Sequence, residues 1–213
     1  MEEFCRADPG KLPQGFSIHS PRLDDLEAVT HLLLACELAD YGVNSYSCEG
    51  MQEDIRKLWS SGGMDLEHNA WIILAPNGLC VGRANLWFSS TEPEELFASP
   101  RIHPDYWGLG LGTYLLHRAE QRARELMVTL SEEKPVYLNS WVEGVNEPAC
   151  KLLERKGFSA LRYYWRMDIE LQTSPPAPVL PTSIQIRPMR RGEEAQIFAL
   201  SEEIFQDHWG YVP

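Results

Sequence analysis

The chain has 213 residues, of which 44% are hydrophobic, 10% aromatic and 23% charged; this is globular composition and excludes an extended disordered chain. Nineteen basic against thirty-one acidic residues give a net charge of −12, which repels nucleic-acid phosphates and anionic lipid surfaces. There is no apolar run near the roughly 18 residues of a membrane span and no basic, apolar leader, so a cytoplasmic protein with neither nucleic-acid nor membrane partners is expected.

Residues 1–15 read as a tail. Phe16 to Arg22 then reads as a short strand, and Leu26, Val29, Leu32, Leu33 and Cys36 form a helical stripe that Gly42 stops. Met51, Ile55, Leu58 and Trp59 predict a second helix over 49–59, ended by Ser60-Ser61-Gly62-Gly63. The runs AWIILA and LCVGRANLWF flank Pro76-Asn77-Gly78, the signature of an antiparallel hairpin. LFASPRIHP predicts an irregular strand, since Pro100 and Pro104 lack N–H groups, with pairing that ends near His103. Leu115, Leu116, Ala119, Ala123 and Leu126 predict a long amphipathic helix from Leu111, PVYLNSWV a strand, and Pro148 to Lys156 a short helix that stops at Gly157. FSALRYYWRMDIEL is predicted to close the domain as one long strand or a bent pair. Five scattered cysteines, Cys5, Cys36, Cys48, Cys80 and Cys150, form no metal-like spacing; reduced thiols and no metal are expected.

Beyond Leu171 the composition changes to TSPPAPVLPTS, read as a proline-rich linker over 172–183. The segment after it, IQIRPMRRGEEAQIFALSEEIF, repeats the pattern of FSIHSPRLDDLEAVTHLLLACEL near the start: a short alternating strand ending in X-Pro, an acidic helix start, then an apolar stripe. The roughly 30 residues from 184 to 213 fall below the size that folds alone, so they read as the truncated start of a second copy.

The stretch most informative about chemistry runs from Ile102 to Thr113, IHPDYWGLGLGT, joining a strand to an amphipathic helix. Three glycines at alternate positions permit a tight turn and leave the helix-start amides open to a bulky anion such as a pyrophosphate. The loop lacks the Lys-Ser/Thr of a P-loop and the glycine spacing of a dinucleotide fingerprint, which disfavours ATP and NAD.

These residues resemble the central motif of the GNAT superfamily of acyl-coenzyme A dependent N-acetyltransferases: an apolar residue and a proline in Ile102-His103-Pro104, then Gly110-Leu111-Gly112 and an amphipathic helix. NEPACKLLERKGF is similar to the family's later motif through Asn146, Ala149, Leu152, Gly157 and Phe158. Together the two cover most of residues 16–171. The resemblance implies an α/β (α+β) fold, with a mixed, mostly antiparallel sheet flanked by helices and splayed open where acetyl-CoA enters.

It also implies roles. Arg101 and Ile102 would bind the pantetheine arm through their main chains, as in β-augmentation. The amides of Trp107, Gly108, Leu109, Gly110, Leu111, Gly112 and Thr113 would hold the pyrophosphate. Asn146 would touch the pantetheine, cap the following helix, or do both. Arg118, Arg122 and Lys151 are either surface charges or partners of the 3′-phosphate. Trp107 stands where the family has Arg or Gln, with its indole expected over the cofactor or against the strand. Leu153 stands where many members place an acidic tyrosine.

The reaction implied is attack of a neutral amine on a thioester carbonyl, which needs a base and benefits from an acid. Glu94, Glu95 and Glu143 are the candidate bases, and Tyr163 or Tyr164 a candidate acid. The repeat resembles tandem GNAT proteins of the mycothiol synthase kind. This leaves three readings: an N-acetyltransferase acting on a small or peptidic primary amine, a catalytically silent acyl-CoA-binding half of a tandem protein, and an interaction protein on a degenerate fold with no cofactor affinity. Exchange of residues 184–213 between copies would give a homodimer.

Overall fold

The structure is a computed structural model that describes residues 10–60, 64–88, 95–128, 135–165, 167 and 169–208. It divides into two units, one ending at Ser159 and the other beginning at Ala160. The first unit opens with β1 (Ser17–His19), a 3-10 turn over Leu23–Asp25 and α1 (Leu26–Tyr41). It continues with α2 (Cys48–Ser60), the short α3 (Leu66–Asn69) and the hairpin of β2 (Ala70–Leu74) and β3 (Cys80–Phe88). Then come β4 (Glu95–Ala98), β5 (Arg101–Ile102), α4 (Leu111–Met127), β6 (Tyr137–Ser140) and α5 (Glu147–Arg155). The second unit contains α6 (Glu194–Phe205).

Local chemistry accounts for the boundaries. Gly42 ends α1 with φ of 73°, and its N–H closes on the carbonyl of Leu38. The hairpin turns through Gly78, while the Asn77 side chain accepts from the Leu79 N–H at 3.1 Å. α3, which the hydrophobic pattern does not reveal, exists because Asp65 caps it, accepting from the His68 N–H at 3.1 Å.

The sheet runs β1-β2-β3-β4-β6, with β5 also on β3. All pairs are antiparallel except β4 with β6. One face packs on α4: Ile73, Val81, Ala84, Leu86, Leu96 and Ala98 meet Leu111, Leu115 and Ala119. The other face meets α1 and α2, where Val29, Leu32, Ile55 and Trp59 enclose Ile72 and Cys80. Each fully buried Leu or Ile in these layers contributes roughly 1.5–3 kcal/mol.

β4 and β5 are two ends of one strand. Leu86 pairs with Ala98 and Arg83 with Arg101, so the register is continuous across Ser99-Pro100. The amides of Ser99 and His103 point at β3, donating to Asn85 and Val81 at 3.1 and 2.9 Å. By alternation, the backbone groups of residues 98, 100 and 102 face the β6 side. Residue 100 is a proline with no N–H to give, and the parallel ladder ends one step earlier, at Ala98 with Ser140. Among the described residues nothing pairs β5 with β6, and the sheet opens between them.

Two expected strands are absent among the described residues. Residues 158–165, with 167 and 169–171, carry no ladder, and neither do residues 184–187. The alternating pattern is present: Leu161, Tyr163, Trp165, Met167 and Ile169 form a period-two stripe, but each is 76 to 91% exposed. Strand propensity measures fit to a pleated, half-buried surface, and these side chains are exposed. The helix of the C-terminal repeat does form, as α6, with no buried residue.

Candidate active site

The glycine loop leaves β5 through His103, makes a 3-10 turn over Pro104–Tyr106 and enters α4 at Leu111. Gly108 and Gly110 have φ of 81° and 84°, the left-handed region that L side chains avoid. No side chain caps α4, which leaves its first amides directed out of the helix start beside the positive end of the dipole. A Cβ at Gly108 would meet nothing within 4 Å, whereas one at Gly112 would lie 3.1 Å from Leu152 on α5. The cradle is thus open in front and closely packed behind, and it fits a pyrophosphate.

The expected cofactor residues Arg101, Ile102, Trp107, Gly108, Leu109, Gly110, Leu111, Gly112 and Thr113 form one continuous lip from strand to helix. Trp107 lies against the strand: its indole Nε1 donates to the Ile102 carbonyl at 2.9 Å. The Cys36 thiol donates to the same oxygen at 3.4 Å. The carbonyl that the resemblance offers to a pantetheine amide is therefore already engaged, and a bound arm shares it or displaces the indole. Asn146 caps α5, accepting from the Ala149 N–H at 3.1 Å, while its Nδ2 donates to Asp40 Oδ1 at 2.9 Å.

That second bond shows a group of residues that sequence reasoning missed. The last turn of α1 meets the loop between β6 and α5: Tyr41 donates its hydroxyl proton to Glu143, and Asp40 holds Asn146. Burial, with Glu143 nearby, lifts the Asp40 carboxyl above the ordinary aspartate value, against the opposing pull of the Asn146 bond and Arg101. Glu37, one turn back, accepts from the Ser45 N–H at 3.0 Å through one oxygen, and its other oxygen is buried without a partner among the described residues.

Beneath lie two arginines from adjacent strands, Arg83 of β3 opposite Arg101 of β5. Arg101 reaches across the opening, donating to the Pro100 and Trp141 carbonyls at 3.1 and 3.3 Å. Arg83 is half-buried, and its Nε is sealed from solvent with no hydrogen-bond partner among the described residues. Burial, and then the neighbouring Arg101 charge, pull its pKa from 12.5 to about 10. Burial likewise pushes the thiols of Cys36 and Cys80 up from 9.0 to about 11. One signal of Arg83 was in the sequence: it is the only charged residue in LCVGRANLWF.

Within the first unit, Glu95 and Glu143 stand on different elements, β4 and the loop after β6. Glu143 stands at the rim described above. Glu95 begins β4, six residues and roughly 20 Å of strand before Arg101, where Asn139 donates to it at 3.4 Å. Glu94 lies outside the described residues. Tyr163 and Tyr164 belong to the second unit, where the Arg162 guanidinium lies 5.6 Å over the Tyr164 ring. Of the cations offered to a 3′-phosphate, Arg118 lies 5.8 Å over the Trp71 ring, Arg122 bonds Asn69 and Glu125, and Lys151 pairs with Glu147 at 2.6 Å.

A strand–glycine loop–helix unit beside a splayed sheet is the arrangement that the sequence resemblance implies, and comparison with known proteins gives the family. A profile of the GNAT acetyltransferase domain matches residues 16–159. The chain belongs to the GNAT acetyltransferase family. It is 31% identical over 194 residues to the mycothiol acetyltransferase of Parafrankia sp. (strain EAN1pec), covering 86% of this chain and 53% of that protein. To the mycothiol acetyltransferase of Streptomyces bingchenggensis (strain BCW-1) it is 32% identical over 141 residues, 62% of this chain and 41% of that one. The chain thus spans about half the length of the curated relatives it matches, or less. A GCN5-related N-acetyltransferase from Sphaerobacter thermophilus superposes with a TM-score of 0.74 at 28% identity, over 91% of this chain and 59% of that one. The fold extends to yncA from Salmonella typhimurium, solved with its cofactor acetyl-CoA, at a TM-score of 0.52 and 18% identity over 70% of this chain and 82% of that one. No helix among the described residues is long and apolar enough to cross a membrane.

Proposed function

We propose that the protein transfers the acetyl group of acetyl-CoA to a primary amine. The observation that carries this reading is the opening between β5 and β6, which leads into an uncapped helix start over left-handed glycines. Acetyl-CoA, when bound, supplies the activated thioester. The chain's amides from Trp107 to Thr113 would hold its pyrophosphate, and the Arg101–Ile102 edge would orient its arm. Asp40 and Glu143, both at the rim, would take the proton of the attacking amine; the raised Asp40 pKa brings its carboxyl closer to that task. Orientation and backbone donors at the thioester oxygen supply rate without a dedicated acid. The experiment is calorimetric titration of acetyl-CoA into the chain beside Gly110→Trp. Micromolar binding that the variant abolishes, followed by amine-dependent thiol release, supports the proposal; no binding to either protein overturns it.

A second reading, a silent acyl-CoA-binding half, is favoured by Leu153, which has no proton to give a leaving thiolate, and by the Trp107 bond to Ile102. It predicts binding without thiol release. We also read residues 172–183 as a linker and 184–213 as the start of a second GNAT-like domain. That reading is supported by the exposed apolar residues of α6, among them Ile197, Phe198 and Leu200, and by the half-length match to relatives. Residues 184–213 would dock on the first domain or on a second copy, or stay mobile; a monomer by light scattering, with stability unchanged when the segment is deleted, would refute exchange into a homodimer.

A further inference from the structure

We infer that Arg83 and Arg101 form a carboxylate-binding subsite for the acceptor, so that the amine acetylated is that of an α-amino acid or a close amino-carboxylate relative. The inference rests on the transferase reading and narrows its substrate class.

Like charges placed opposite each other in a sheet destabilise it, and a guanidinium withdrawn from water costs more unless an anion meets it. Arg83 and Arg101 stand opposite in the β3–β5 register, and neither makes an ion pair among the described residues. The buried Nε of Arg83 has no acceptor among them either. An anion held between the guanidiniums would answer both charges, and a carboxylate suits the planar donor fork of arginine.

The position of the pair argues for the acceptor rather than the cofactor's phosphates. Arg101 adjoins Ile102, whose carbonyl faces the opening, and its guanidinium reaches the Trp141 carbonyl on the far lip. The phosphate cradle lies beyond His103 and the following turn, at the start of α4. The surroundings also separate charge in a useful way. The two cations belong to β3 and β5, whereas Asp40 and Glu143 belong to the end of α1 and the β6–α5 loop, joined to Asn146 and Tyr41, with Asp40 within reach of the Arg101 charge. A zwitterion matches that order, with its carboxylate on Arg83 and Arg101 and its ammonium toward Asp40 and Glu143. A polyamine would set a cation against the arginines.

The test titrates N-acetylglycine and N-acetylglycinamide, a minimal carboxylate and its neutral amide, into the whole 15N-labelled chain while the arginine Nε–Hε signals are followed. Arg83→Met and Arg83→Lys are run alongside. The expected result is movement of the Arg83 signal by the carboxylate, about tenfold tighter binding of the acid than of the amide, and loss of that preference in Arg83→Met. Equal affinities, an Arg83 signal unmoved at tens of millimolar, or a preference that survives in Arg83→Met would each overturn the subsite. If a variant does not fold, the acid–amide comparison on the unmodified chain decides alone. Inorganic phosphate and coenzyme A form separate arms. Should coenzyme A move the Arg83 signal while N-acetylglycine does not, the pair belongs to the cofactor and the proposal falls. Acetyl-CoA binding is scored independently, so the transferase reading and the subsite fail by different results.

Discussion

Replacing Arg83 by methionine is expected to make the protein more stable. The substitution keeps an unbranched stem of similar reach and removes a guanidinium that has no counter-ion among the described residues. Burial and the Arg101 charge lower the Arg83 pKa from 12.5 to about 10. At roughly 1.4 kcal/mol per unit, that makes the charged form about 3 kcal/mol less favourable in the fold than in the unfolded chain. Because the half-buried side chain still meets water, the net gain on removal is about 1–2 kcal/mol, or about 3–6 °C in Tm for a unit of this size. The assay is urea unfolding followed by tryptophan fluorescence at pH 7, with Arg83→Lys as the charge-retaining control and the slope checked for constancy. A Met variant less stable than the parent, with Lys unchanged, would show that the guanidinium is satisfied in the fold and would refute the reasoning.

Gly108→Ala forces a left-handed residue to carry a Cβ although nothing crowds the position; a loss of about 1–2 kcal/mol, with weakened acetyl-CoA binding by calorimetry, is expected. Leu115→Ala, at a fully buried position of α4, is expected to cost about 2–5 kcal/mol in urea, whereas Leu161→Ser, at a position 78% exposed, should stay within about 0.5 kcal/mol. The folded thiols of Cys36 and Cys80 titrate near 11 against 9.0 unfolded. Their contribution is therefore complete below pH 9 and is lost as pH rises through 11; the urea midpoint of a Cys36→Ala, Cys80→Ala double variant should fall less steeply across that range. Trp107→Phe removes the indole donor to Ile102, and calorimetry should report tighter acetyl-CoA binding if the indole competes with the arm.

Most elements of the first unit are legible in the sequence because each has a local cause: the Gly42 stop, the Asn77-Gly78 turn, the stripe through Leu115 and Ala119, and the Asn146 cap. The strand-to-helix lip proposed for the cofactor is legible for the same reason, since its glycines and prolines are contiguous. The features that escape are set by distant pairing. Asp40 and Asn146 stand 106 positions apart, and Arg83 faces Arg101 only once the register is fixed. The residues from Leu161 to Ile169 do alternate in sequence, but alternation alone does not make a strand.

The proline that ends the parallel ladder also creates a hazard that the molecule contains. An unpaired strand edge is a template on which any extended chain can add. Here the free edge is only two residues long, lies within the sheet rather than at its margin, and has its accepting carbonyl covered by the Trp107 indole and the Cys36 thiol. Admission of an amide-bearing arm is then an exchange of one donor for another at Ile102. On the proposed function, such an exchange would add little net hydrogen bonding there, and the hold on acetyl-CoA would fall to the helix start beyond.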